Sequence, residues 1–332
     1  MLEPLYRVKF NADELLREHP PVLRHPHKVA LFELAYPDQI VSAEQIEVTR
    51  WAPVIPDTIS FSAATQTQMR PNFYDYQPIA PDAALMEWHV NFADPRLFVA
   101  YGSGLFAQDE IQVAEHPLLG SAREALVAQG LLAMTVDHDG GTPILVRHVE
   151  RRIEVLTNAD APSGRPLGLY GNQFAASSWD AVRRATRRID PPTFSNMIAI
   201  AAPGYGHGEY SKQQIELIFV TAFTAFTAAV QEASGRQGPD ASKIAIHTGF
   251  WGCGAFGGNR KLMIALQRLA AVAAHVDRLI IHAGDETGLQ AAQEGIEFSE
   301  LIAWQFDRTC TLDALVDQVW GFSCRWGVSD GN

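Results

Sequence analysis

Short apolar runs alternate along this chain with longer stretches in which apolar residues recur every three or four positions. Met86–Phe92 (MEWHVNF), Leu97–Tyr101 (LFVAY), Ile144–Val149 (ILVRHV), Asn196–Ala201 (NMIAIA), Lys243–Thr248 (KIAIHT) and Arg278–Ala283 (RLIIHA) read as strands. Helices are predicted over 108–115, 120–129, 211–232 and 260–275. The last carries Leu262, Met263, Leu266, Leu269 and Ala273 at helical spacing. Strands alternating with helices predict an α/β sheet covered on both faces. Residues 1–50 mix short amphipathic runs with prolines and read as two or three helices, with His25-Pro26-His27 in a loop. Residues 51–82 and 158–168 read as irregular connections. The expected organisation is an N-terminal, mainly helical accessory region over 1–84 and a core domain over 85–332.

Composition narrows the function classes. The 332 residues are 47% apolar and 19% charged, so a sizeable buried core is expected. The 38 acids against 26 bases give a net charge of −12, which argues against gripping nucleic acid through a basic face. The basic run Arg183-Arg184 to Arg187-Arg188 reads as a solvated face. Cys253, Cys310 and Cys324 form no C-x-x-C pair, which fits a reducing compartment, and a cytoplasmic location is expected. The first residues show no leader-like apolar run. Leu217–Val230 is shorter than the ~20 residues of a membrane helix and reads as a buried core helix, so no membrane association is expected.

Two segments carry chemistry. The first is HTGFWGCGAFGG, residues 247–258, placed between a strand and a helix that Asn259 can cap. Its glycines let backbone N–H groups turn toward one point, and the helix start adds its own free N–H groups. That arrangement holds a phosphate or diphosphate without basic side chains. A tight structural turn is the competing reading. Gly252-x-Gly254-x-x-Gly257 has the spacing of a dinucleotide fingerprint, but Phe256 is bulky within it, and no G-K-[ST] follows. The second segment runs from Phe92 to Pro117, where Gln108-Asp109-Glu110 opens a helix. Acids in a first turn often only answer the macrodipole. Aimed at a sugar, such a carboxyl group can protonate a leaving oxygen and then activate water.

Together the two segments resemble the poly(ADP-ribose) glycohydrolase family, which carries G-G-G, then Q-E-E, then T-G-N-W-G-C-G-x-F-G-G. The second motif stands here as Thr248-Gly249-Phe250-Trp251-Gly252-Cys253-Gly254-Ala255-Phe256-Gly257-Gly258, and the first as Asn91-Phe92-Ala93-Asp94 followed by Gln108-Asp109-Glu110. The resemblance spans roughly residues 85–290. It implies a three-layer α/β/α macrodomain with a central mixed sheet, binding ADP-ribose without metal or cofactor. It implies hydrolysis of the glycosidic bond of ADP-ribose in poly- or mono-ADP-ribosylated protein or nucleic acid. By the same resemblance Glu110 is the general acid and base, Asp109 replaces the first glutamate, and Gln108 belongs to the motif. Asp94 lies near the distal ribose. Gly252, Gly254, Ala255, Phe256, Gly257 and Gly258 wrap the diphosphate, with Phe256 on the ribose, and Tyr170 corresponds to an adenine-stacking tyrosine.

The chain also departs from the pattern. Phe98-Val99-Ala100 stands where the family has G-G-G, with glycines only at 102 and 104, and Phe250 replaces an asparagine. Side chains at 98–100 are expected to crowd the ligand unless the loop is rebuilt around Gly102 and Gly104. A non-catalytic ADP-ribose reader therefore stands as the alternative, with another nucleotide-sugar hydrolase third. Glu209, Tyr210, His207 and His282 lie near strand ends, where ligands gather in α/β sheets, but turn, surface and core roles compete for each.

Overall fold

The computed structural model describes residues 2–37, 44–79, 85–234 and 243–331. In chain order its elements are β1 (Tyr6–Asn11), α1 (Ala12–Glu18), α2 (Pro26–Ala35), β2 (Gln45–Arg50), β3 (Ile59–Ser60), β4 (Gln66–Arg70) and β5 (Leu85–Phe92). There follow α3 (Gln108–Glu115), α4 (Leu118–Ala128), β6 (Val136–Asp137), β7 (Gly140–Gly141), β8 (Ile144–Val155), α5 (Gln173–Ala176), α6 (Trp179–Ala185) and β9 (Thr186–Ile200). The chain closes with α7 (Lys212–Ser234), β10 (Lys243–Thr248), α8 (Arg260–Ala273), β11 (Arg278–His282), α9 (Glu286–Trp304), β12 (Thr309–Cys310) and α10 (Leu312–Trp320).

Eight strands form one mixed sheet in the order β1-β2-β8-β9-β5-β10-β11-β4. β9, β5, β10, β11 and β4 run parallel, and β1, β2 and β8 join antiparallel at the β9 edge. Strand side chains alternate between faces, so each buried strand feeds two cores. Ile198 and Ile200 of β9 join Trp88, Val90, Ile244 and Ile246 in a core beneath α7 to α10. Met197 and Ala199 face the other way and join Ile144, Val146 and residues of α1 to α4. The expected α/β/α layering is the one observed.

The N-terminal region is not mainly helical. Besides α1 and α2 it supplies β1 and β2 to one edge of the main sheet and β4 to the other. Tyr6, Val8 and Phe10 alternate with Arg7, Lys9 and Asn11, a period of two that pairs with β2 residue by residue. β4 is polar (QTQMR) because it is an edge strand with β11 as its one neighbour. The boundary placed at residue 84 lies outside the described residues. His25-Pro26-His27 starts a helix instead of forming a loop. Pro26 occupies its first turn, and the His25 side chain accepts the N–H of His27. Leu97–Tyr101 forms turns, not a strand. β5 already has β9 and β10 on its two sides, so no sheet edge remains beside it. α9 and α10 lie beyond the elements read from the sequence.

α7 is long and apolar enough to cross a membrane by length and composition, yet 67% of its most apolar window is buried inside the fold. It packs against α8 and α10. The helix read from Leu217–Val230 as a core element is one.

Candidate active site

A groove of about 1300 Å³ opens at the carboxyl ends of the parallel strands. This is where open α/β sheets gather ligands, because connecting loops diverge there. One wall is the first turn of α3, the other the loop after β10, and Asp94, Tyr170 and Asp330 also border the space. Of the residues singled out in the sequence, Asp94, Gln108, Asp109, Glu110, Tyr170, Gly252, Gly254, Ala255, Phe256 and Gly258 line this groove, and Gly257 lies just outside it. His282 lines it too, its ring bonded to His247 at 2.9 Å. Burial and His247 pull it down to about 3, so it is neutral at ordinary pH. His207, Glu209 and Tyr210 do not line the groove. Tyr210 is buried and stacks on Trp326, its hydroxyl accepting the N–H of Asn259. The basic run is solvated, with Arg184, Arg187 and Arg188 paired to Asp180, Glu154 and Asp190.

The acidic wall is held by side chains. Gln108 docks α3 onto β5: its carboxamide oxygen accepts the N–H of Phe92 at 2.8 Å and its nitrogen donates to the carbonyl of Val90 at 3.1 Å. Asn91, fully buried in β5, donates to Asp109 at 3.0 Å and to Gln112 at 2.8 Å. Glu110 closes the helix start, its Oε2 accepting the N–H of Ala107 at 3.0 Å. Both acids are almost wholly buried, Asp109 at 5% exposure and Glu110 at 3%. Burial pushes the Glu110 carboxyl above the ordinary range, with Lys28 pulling the other way. Burial and the neighbouring Glu110 push Asp109 well above its own. Asp94 is fixed in a turn, its carboxylate accepting the N–H of Arg96 at 2.9 Å.

The glycine wall is held by backbone. Cys253 N–H bonds the carbonyl of Phe250, Gly257 that of Gly254, and Gly258 that of Gly252. The N–H groups of Gly254, Ala255 and Phe256 have no backbone acceptor among the described residues. Gly252 has φ +72° with Ala202 only 2.5 Å from where a Cβ would sit, so this turn needs glycine. Asn259 caps α8 as expected, accepting the N–H of Leu262. Phe256 lies beside Tyr205, with ring centroids 5.4 Å apart. Phe250 lies under the guanidinium of Arg260. The C-terminal segment crosses this wall: Ser329 donates to the carbonyl of Ala255, and Asp330 donates its N–H to that of Gly254. Tyr170 sits between the walls. Burial and the carboxyl groups of Asp330 and Glu110 push its phenol up to about 12.

The departure at 98–104 resolves differently from expectation. Phe98 is fully buried in the core, at φ +51°, and does not enter the groove. Val99 and Ala100 line it. Gly102 and Gly104 serve the N-terminal segment, not a ligand. The carbonyl of Gly102 accepts the N–H groups of Arg24 and His25; a Cβ at 102 would strike Val22, and one at 104 would crowd Ala175 and His25.

Sequence reasoning missed three groups at this site. Asn91 carried the signal of a lone amide in an apolar strand. Lys28 and Asp330 carried none, since only tertiary folding brings them here.

Residues 169–290 match the family model described as "Poly (ADP-ribose) glycohydrolase (PARG), Macro domain fold". The match takes in Tyr170 and the glycine loop and leaves out Gln108–Glu110. No curated protein matches. Among solved structures, the poly(ADP-ribose) glycohydrolase of Thermomonospora curvata is similar at 14% identity and a TM-score of 0.48, covering 86% of this chain and 96% of that one. That of Deinococcus radiodurans, in complex with ADP-ribose, is similar at 12% identity and a TM-score of 0.42, covering 88% and 94%. The match makes residues 169–290 similar to the poly(ADP-ribose) glycohydrolase family, over less than half of the chain.

Proposed function

We propose that the protein is an ADP-ribosyl glycohydrolase, hydrolysing the glycosidic bond at the anomeric carbon of ADP-ribose in poly- or mono-ADP-ribosylated substrates. The observation that carries this reading is one groove faced by a buried carboxyl group of raised pKa and by a glycine loop whose N–H groups at Gly254, Ala255 and Phe256 have no backbone acceptor among the described residues. The loop binds the diphosphate through those N–H groups, a mode suited to a protein of net charge −12. Binding there orients the ribose against Glu110. Protonated Glu110 gives its proton to the leaving oxygen as the C–O bond breaks. The carboxylate then takes a proton from the water that attacks the anomeric carbon, which restores the acid. Asp109 and Gln108 keep the helix start in place through Asn91 and β5. Tyr170 and Phe256 supply rings for the adenine and the ribose.

The test pairs hydrolysis assays on ADP-ribosylated protein with calorimetric titration of free ADP-ribose. Glu110→Gln is expected to lower turnover by about 1000-fold or more while leaving ADP-ribose affinity within about threefold. Full turnover in that variant overturns the reading. Binding without turnover in the wild type makes the protein a reader instead.

A further inference from the structure

Lys28 lies 82 positions before Glu110 in sequence and ends beneath it in space. Its side chain is 2% exposed. The ammonium donates to the carbonyl of Tyr101 at 3.0 Å and reaches the backbone carbonyl of Glu110 at 3.5 Å. The rings of Phe106 and Phe174 lie 4.8 and 5.6 Å from it. A lysine that far from water is rare unless something holds it. Here two carbonyls and two aromatic faces replace its hydration shell.

The position of this charge has a chemical consequence. α3 starts at Ala107 without a side-chain cap of its own, and its first turn carries two buried acids. Two carboxylates that close repel each other when both ionise. Lys28 is the cation that faces them: it favours the ionised forms of both Glu110 and Asp109. We propose that Lys28 is a positioning residue for the reaction, pinning the first turn of α3 from below and holding Glu110 where it can both give and take a proton. The inference rests on the reading of Glu110 as acid and base. It also gives the N-terminal region a part in the active site, since α2 enters there through Arg24 and His25 bonded to Gly102.

The charged and titratable groups around the ammonium are Asp109 and Glu110 on α3 and His25 and His27 on its own segment. Tyr101 offers Lys28 its carbonyl, while its hydroxyl bonds Val22 and Glu124. Burial, partly offset by Glu110 and Asp109, brings Lys28 down to about 8. The charge is therefore present below that pH and lost above it.

The experiment follows Glu110 directly. The full-length protein carries ¹³C-labelled glutamate side chains, and the Glu110 signal is assigned by its loss in Glu110→Gln. Its titration is then recorded in wild type, Lys28→Met and Lys28→Arg. The expected result is an upward shift of the Glu110 midpoint by about one pH unit in Lys28→Met. Lys28→Arg is expected to restore it to near the wild-type value, because the charge is kept. In hydrolysis assays Lys28→Met is expected to lower kcat about tenfold with KM nearly unchanged. An unmoved Glu110 midpoint in a folded Lys28→Met overturns the inference, as does a variant in which KM alone changes. Should Lys28→Met fail to fold, Lys28→Gln takes its place in the same titration, and an unmoved Glu110 midpoint there overturns the inference. A wild type inert toward all ADP-ribosylated substrates would sink the glycohydrolase reading, while the titration would still report on Lys28.

Discussion

The two walls of the groove solve opposite problems with opposite materials. The glycine loop leaves the N–H groups of Gly254, Ala255 and Phe256 without backbone acceptors among the described residues, and its turns close within ten consecutive residues through their own backbone. The first turn of α3 stores two buried acids, and its one local tie, Ala107 N–H to Glu110, is joined by distant ones. Asn91 from β5, Lys28 from α2 and the helix start itself share that task. A backbone site can be rebuilt by any change that restores the turn. A buried acid pair is expected to weaken when one of its distant partners is removed.

The largest expected effect breaks the backbone wall. Gly257 has φ +70°, and its Cβ would come 3.0 Å from the backbone nitrogen of Ser329. Gly257→Glu is therefore strained and adds a like charge beside the diphosphate. ADP-ribose affinity is expected to fall about 100-fold or more by calorimetry.

Next in size is a partner of the acid wall. Asn91→Ala leaves Asp109 and Gln112 without their shared buried donor. Chemical denaturation is expected to show a loss of about 2–3 kcal/mol. A loss below about 0.5 kcal/mol would mean that the two acceptors find water, and the contrast between the walls would weaken.

A third prediction sharpens the contrast through pH. Asp109 has a raised pKa in the fold, so the unfolded chain gives up that proton first as pH rises. Its favourable contribution is full below about pH 3.8 and is lost as pH rises through the folded value. Asp109→Asn removes the buried charge while keeping an oxygen for Asn91. It is expected to be about 1–2 kcal/mol more stable than wild type at pH 8 and close to it at pH 4. Equal differences at both pH values would show that the Asp109 carboxyl titrates alike in the folded and unfolded chain, so that burial does not raise it. The smallest effect is expected at Tyr170→Ala, which loses a ring but no anchor. KM should rise about threefold to tenfold with kcat within twofold.

These differences also explain what could be read from the sequence. β5, β10, β11 and the 196–200 end of β9 were legible because each is a short apolar run buried on both faces, whereas the long polar start of β9 was not. β1 and β4 were not, since half-exposed edge strands carry polar residues. Leu97–Tyr101 is apolar like a strand, and only the sheet order shows that no edge is left for it. The glycine loop was legible because backbone geometry writes itself into glycine spacing. Glu110 was legible only through resemblance, since acids open many helices. Lys28 looked like any helical lysine, because its meaning lies wholly in what folds above it.

The pairing of β4 with β11 joins residues 66–70 to residues 278–282 across most of the chain. Loop-closure entropy makes such contacts slow to form. Ser329 and Asp330 must then settle on a glycine loop that follows β10. Assembly of the groove is therefore expected to come late in folding. ADP-ribose, if it binds that groove, stabilises the completed chain and not its precursors, so refolding in its presence should slow unfolding more than it speeds folding.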